Sequence, residues 1–252
     1  LIFVVFGIVE NEEKHPHKET DFGEFPFLLY GLFLLMAAVI ATSGYLLGRA
    51  YVAEYFFKQA ANNLAKNDIK GVYDNMRRAR ILNPYQENYV LNFSQTNLII
   101  ADSIARKDPE KITESDRQTI AQAVQAAISE AKELVKLNPN KASNFENLAN
   151  IYRNIIPLAS GADAWTISAY QRAIILDPAN PSYRLSLGGV YYLLKQYNDA
   201  IKLFEQAVSL KPSWANANYN LAWAYFQNSE YSRAVNAMQN VVNLIDKKSA
   251  PK

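Results

Sequence analysis

Leu187-Gly188-Gly189-Val190-Tyr191, then Ala200-Ile201-Lys202-Leu203-Phe204, then Pro212: 34 residues on, the chain reads Leu221-Ala222-Trp223-Ala224-Tyr225, Ala234-Val235-Asn236-Ala237-Met238 and Asp246. Pro178 and Pro212 stand at the same offset. A leucine, a small residue and a tyrosine at i, i+1 and i+4 put Leu and Tyr on one helical face, with a gap that a neighbouring helix can approach. The Ala and the large residue four positions after it belong to a second helix, which fills that gap. Proline ends this helix, because it has no N–H and disfavours the helical conformation of the residue before it. Each unit is therefore a pair of antiparallel helices. One pair cannot bury its own apolar face, so three or more must stack. The fold class that follows is all-α, a helical solenoid.

Reading backwards finds more units. Leu148-Ala149-Asn150-Ile151-Tyr152 opens one that Tyr170, Ala173 and Pro178 close. Leu148 precedes Leu187 by 39 residues. A short insertion is therefore expected within Ile156–Ala164, where Pro157 and Gly161 interrupt the helix. Ala127, Ala131, Leu134 and Pro139 mark the second helix of a diverged unit. Its first helix is expected over about Glu87–Arg106, beyond the charged stretch Lys107–Asp116. Tyr51–Ala65, a turn at Lys66-Asn67-Asp68, and Ile69–Leu82 before Pro84 make a fifth pair. Period, residue types and positions resemble the tetratricopeptide repeat (TPR), with repeats over 140–246 and diverged, TPR-like helix pairs over 49–139.

The resemblance implies a binding surface, because the first helices of a TPR array line a concave groove. In the frame of Leu187 and Leu221, that groove takes Asn150, Arg153 and Asn154, beside Glu146, from one unit. The next gives Leu185 and Tyr192, beside Gly189 and Leu193. The last gives Tyr219, Asn220, Trp223 and Phe226, beside Asn216 and Gln227. Tyrosine and tryptophan bury large area at low entropy cost and keep a polar handle, so the expected ligand is a protein or peptide. The alternative for each aromatic is packing between helices. One TPR subclass grips C-terminal carboxylates through groove Lys and Arg. Here those positions hold Glu146, Leu185 and Asn216, so that ligand is not implied.

Phe25–Gly48 contains no charged residue over 24 positions and is bounded by Glu24 and Arg49. As a helix it would span ~36 Å, against a hydrocarbon core of ~30 Å. Pro26 suits a first helical turn, and Phe25, Phe27, Tyr30, Tyr45 and Tyr51 sit where interfacial rings belong. Residues 25–48 are thus expected to be a transmembrane helix, in a bacterial cell membrane, with the lipid bilayer as a partner. A buried core helix is the alternative. The side is open, since Lys14 and Lys18 nearly balance Arg49, Lys58 and Lys66.

Leu1–Val9 is apolar but too short to span. It reads as the end of a truncated transmembrane segment or as a short strand. Residues 10–24 form an acidic loop holding both histidines, His15 and His17, around Pro16. Their spacing is no recognised metal-ligand pattern, and a solvated loop is expected. At the other end, the last helix is expected over Tyr231–Leu244, followed by a polar tail, 247–252. Val235 and Val242 would then be exposed, and self-association through this uncapped helix is expected.

Composition excludes several functions. The absence of cysteine rules out disulfides and zinc–thiolate sites. The net charge of +2 is too slight for a nucleic-acid protein. No phosphate loop, H-E-x-x-H or cysteine nucleophile is present, and Asp199 and Glu205 stand at solvated helix positions. No catalytic, cofactor or metal site is expected, and the chain reads as a non-catalytic scaffold. Arg77, Arg78 and Arg80 read as a solvated basic face with Asp74 pairing to Arg78, or as a contact for anionic lipid.

The layout of apolar end, short loop, apolar helix and TPR units also resembles the C-terminal tails of polytopic O-antigen ligase or polymerase-like membrane proteins. So does Tyr152–Leu158 followed by Ser160–Trp165. That resemblance implies an accessory arm of a glycan-transferring enzyme whose catalytic part is absent from this chain.

Overall fold

The computed structural model describes residues 26–157 and 159–249, apart from the side chains of residues 26, 28, 109 and 246–249. The expectations for 1–9, for the acidic loop with His15 and His17, and for the last three residues lie outside them. Among the described residues ten α-helices run in order: α1 (Pro26–Ala65), α2 (Ile69–Leu82), α3 (Glu87–Ala105), α4 (Glu114–Leu137), α5 (Ala142–Asn154), α6 (Ala162–Leu176), α7 (Pro181–Leu193), α8 (Tyr197–Leu210), α9 (Ala215–Gln227) and α10 (Tyr231–Ser249). A 3₁₀ turn, Pro109–Lys111, lies between α3 and α4. No strand occurs among the described residues.

The chain divides into two compact units, Leu1–Gly48 and Arg49–Lys252. In the first, the described side chains from Leu29 to Leu47 are all exposed. Thr42 keeps its hydroxyl satisfied within the helix, donating to the Ala38 carbonyl at 2.7 Å. Among the described residues, this is the one helix long and apolar enough to cross a membrane. The sequence reading placed separate helices at 25–48 and 51–65. Instead α1 is unbroken over 40 residues, because Arg49-Ala50-Tyr51 contains nothing that stops a helix.

The second unit is a stack of five helical hairpins, beginning with the end of α1 against α2. Its repetition is visible in how each element stops. The second helices α2, α4, α6 and α8 end on Asn83, Asn138, Asp177 and Lys211, all at φ of about −140° and ψ of about 80°. Each donates its N–H to a carbonyl four residues back: Ala79, Leu134, Ala173 and Ala207. Proline follows each of the four and disfavours the helical conformation there. At the corresponding place α10 has Asp246 rather than proline. The helix therefore runs to Ser249 instead of stopping near Leu244, and takes in the first residues expected to be tail.

The turns inside the hairpins repeat as well. Asn67, Lys195 and Ser229 have φ of 56°, 61° and 64°, and the last two are 34 residues apart. Each left-handed residue lets the next N–H reach back five positions: Asp68 to Asn63, Gln196 to Tyr191 and Glu230 to Tyr225. Between α5 and α6 the connecting residues are 155–161, overlapping the predicted insertion at 156–164, and Gly161 takes φ 80°.

Small residues set the packing. Ala127, Ala131, Ala173, Ala200, Ala207 and Ala224 are fully buried where helices cross. At the α7–α8 crossing, a Cβ on Gly188 would come within 2.6 Å of the Phe204 ring, so only glycine admits that ring. One unit later the pair is Ala222 with Met238, whose thioether adapts to the methyl group.

Polar ties join successive hairpins. The mostly buried Arg80 on α2 pairs with Glu130 on α4 at 2.7 Å and donates to the Pro84 carbonyl. Arg78 lies over the Phe56 ring, 5.2 Å from its centre. The expected solvated arginine face is thus partly a structural seam. Arg80 is drawn in because it sits one residue after the fully buried Ala79. Tyr89 on α3 donates to Glu54 on α1 at 2.8 Å, and burial with that carboxylate pushes its phenol up to about 12.

Candidate protein-interaction surface

The predicted groove residues divide into three groups. On α5, Glu146, Asn150 and Arg153 recur at i, i+4 and i+7 and share one face. Asn150 accepts a hydrogen bond from the Tyr170 hydroxyl at 2.7 Å, and its carbonyl accepts from the Asn154 amide at 2.7 Å. The Glu146 carboxyl is half-buried. Desolvation raises its pKa, and the Arg153 charge pulls it back. This stripe offers a carboxylate, a fixed amide and a guanidinium along one helix.

On α7, Leu185 and Tyr192 are partly buried against the cluster built from α8, α9 and α10. The Tyr192 ring meets Tyr197 edge-on at 5.5 Å. These two side chains serve the joint between hairpins. On α9, Asn220 turns back on its own helix, donating to the Asn216 carbonyl at 2.7 Å and side-chain oxygen at 3.0 Å.

The third group is different. Tyr219, Trp223 and Phe226 form a continuous row of edge-on rings, with centroids 6.2 and 5.7 Å apart. Tyr231, the first residue of α10, extends it at 5.6 Å. All four are 40–58% exposed, unusually open for rings this large. The row borders an apolar cleft of about 210 Å³ lined by Ala222, Trp223, Phe226, Ala234, Val235 and Met238. Val235 is 67% exposed, and Val242 on α10 is also exposed, as expected.

Register explains why this surface is open. Thirty-four residues before Tyr219, Phe226, Val235, Met238 and Val242 stand Leu185, Tyr192, Ile201, Phe204 and Val208. Those earlier residues pack in the cluster that contains Leu221, Ala224 and Tyr225 of α9. The aromatic row and the cleft therefore repeat the face on which α9 is seated, with no helix of the described residues over them. The sequence reading missed Tyr231 and Met238 because it sought the concave side. Their signal was the same 34-residue offset, applied to the packing face.

Two neighbouring features bear on the surface's chemistry. Glu205, expected to be solvated, accepts from Tyr225 at 2.5 Å and lies 3.8 Å from Arg233. Desolvation, with the Glu205 bond, pushes the Tyr225 phenol up to about 12. Arg233 lies over the Tyr225 ring at 4.8 Å and pairs with Glu230 at 2.8 Å, both within its own hairpin. A larger cleft, about 480 Å³, lies between α2, α3 and α4, and none of the predicted groove residues lines it. Among the described residues, no group of three or more His, Cys, Asp or Glu could hold a metal ion.

Comparison with known proteins agrees with this architecture. Residues 188–229 match a family model described as TPR repeat, and residues 215–247 one described as tetratricopeptide repeat. Among solved structures, the chain is similar to MamA protein, with 20% identity and TM-score 0.58, over 79% of this chain and 94% of that one. It is similar to MamA from Desulfovibrio magneticus RS-1, with 12% identity and TM-score 0.59, over 79% and 97%. It is also similar to a thermophilic TPR protein in Thermus thermophilus, with 17% identity and TM-score 0.53, over 77% and 92%. At these identities the likeness shows the fold, a TPR α-solenoid. No curated protein matches the chain.

Proposed function

We propose that this chain is a membrane-anchored, non-catalytic TPR scaffold that holds other proteins through its C-terminal hairpins and concave stripe. The observation that carries the reading is the exposed row Tyr219–Trp223–Phe226–Tyr231 beside an apolar cleft. Contiguous apolar surface with polar tips on its rings is the usual chemistry of a protein contact. The stripe Glu146–Asn150–Arg153, with Asn154, would supply polar contacts to an extended segment. The anchor is the apolar part of α1. Its exposed side chains and internally bonded Thr42 suit lipid, where unsatisfied polar groups are costly.

The test is capture of partners by the full chain from its native membranes, wild type against a Trp223→Ala, Phe226→Ala double variant. Both rings are exposed, so helix content by circular dichroism should be unchanged. Loss of at least one specific partner is expected. A folded variant that keeps every partner would refute the reading of this surface. Extraction by detergent but not by carbonate or high salt is expected if α1 is the anchor, and release by carbonate would refute that part.

A further inference from the structure

The open face on α9 and α10 repeats a surface that already holds a helix, so its occupant should be helical. Its chemistry narrows the choice. Along α10, Val235, Met238 and Val242 stand at i, i+3 and i+7, which makes a short apolar seam with the spacing of a coiled-coil a/d stripe. The buried side of the same helix is a different set, Ala234, Ala237 and Val241. Val235 and Val242 turn outward, and Met238, packed in part on its own chain, lies between the two faces. A helix with such an outward seam is what the cleft between α9 and α10 is shaped to receive.

Charge points the same way. Among the described residues, no Asp, Glu, Lys or Arg lines the cleft, and Arg233 is engaged with Tyr225 and Glu230 instead. The polar residues next to it are amides: Asn216 and Asn220 beside Tyr219, and Gln239 bonded to Asn243 between the two valines. In a two-fold contact the same patch faces itself, so a charged patch would repel its copy. An amide carries both donor and acceptor and can pair with another of its kind. The exposed fractions of the four rings and two valines amount to roughly 550 Å², taking ~200 Å² for a fully exposed ring and ~150 Å² for a valine, close to the ~600 Å² per partner at the lower end of standard interfaces. The exposed amides Asn216, Gln239 and Asn243 add to it.

We propose that the occupant is a second copy of this chain. In an isologous dimer the α10 seam of each copy lies in the α9–α10 cleft of the other. This rests on reading the aromatic end face as an interaction surface and names the partner there.

The test exploits the absence of cysteine from the sequence. Gln239→Cys in this chain, in its native membrane, is treated with a homobifunctional maleimide. Lys202→Cys on the exposed side of α8 is the control. The expected product of Gln239→Cys is a covalent species of twice the monomer mass, absent from the control. Adding Val235→Asp should lower its yield at least ~tenfold, because each interface would then bury two unpaired carboxylates. Val235 is exposed, so that variant should retain its helix content. The proposal is overturned if Gln239→Cys links only to a different protein, or gives no dimer because another helix of the same chain covers the face. It is also overturned if the control links equally, or if Val235→Asp leaves the yield unchanged. Loss of a different partner from the Trp223→Ala, Phe226→Ala variant, with no dimer seen, would leave the scaffold reading standing and remove this one alone.

Discussion

Replacing Gly188 by alanine sets two effects of known sign against each other. Gly188 lies inside α7, so alanine should favour the helix by about 1 kcal/mol. The new methyl group, however, would sit 2.6 and 2.7 Å from two Phe204 ring carbons. Phe204 is 1% exposed, packed in the core. Overpacking costs about 1–3 kcal/mol, and two contacts this short put Gly188→Ala in the upper part of that range, about 2–3 kcal/mol. The clash should win, leaving a net loss of about 1–2 kcal/mol, or a melting point lower by roughly 2–8 °C for a unit of this size. The next repeat supplies the cure, since it pairs Ala222 with Met238. Gly188→Ala combined with Phe204→Met should recover most of the loss, giving a coupling of about 1–2 kcal/mol in a double-mutant cycle. Urea denaturation followed by circular dichroism measures all four proteins. If Gly188→Ala alone is neutral or stabilising, or if the two changes simply add, the packing argument is wrong.

Glu130→Ala should cost about 2–3 kcal/mol by denaturant titration, because it strands the Arg80 guanidinium in a mostly buried seam; Lys58→Ala, which removes the exposed pair with Glu54 and leaves the Tyr89–Glu54 bond in place, should cost less than about 0.5 kcal/mol. Ser229→Gly should raise stability by about 0.5–1 kcal/mol in the same assay, since glycine takes the 64° φ without strain. Asp116 should make the start of α4 acid-sensitive. Bonds from Lys107 and then from Thr113 hold its carboxyl at about 2, below the ordinary 3.8. This stabilisation is complete above the ordinary value and disappears as pH falls from about 4 toward 2. Amide protection at residues 114–117, measured against the intrinsic exchange rate at each pH, should fall through that window in the wild type and lose the pH step in Asp116→Asn.

The stacking direction of the chain was readable because its causes are local. A proline after each second helix, and Leu–small–Tyr on each first helix, act within a few residues of where they stand. What stayed hidden depends on contacts between units. Arg80 reads as one of three surface arginines until α4 brings Glu130 against it, 50 positions on. Glu205 reads as solvated until Tyr225 arrives from the next helix. The aromatic row was legible as a set of large side chains, but the repeat frame assigned it to the concave side. Its place on the packing face follows only from knowing which residues α9 covers one unit earlier. The continuity of α1 was missed because composition changes at Arg49 while helix propensity does not.

The register relation between the α9–α10 face and the one before it also has a meaning in time. A solenoid assembled from its N-terminus exposes a fresh end face after each hairpin is synthesised. The surface of Leu185, Tyr192, Ile201 and Phe204 is bare until α9 emerges. At 5–20 residues per second, a 34-residue unit takes roughly 2–7 s to make, far longer than a helix needs to form. Neighbouring ribosomes on one message therefore hold nascent chains with adhesive ends, each of the same kind as the next. Orderly growth depends on the following hairpin, tethered and so at high local concentration, reaching each end before a neighbour does.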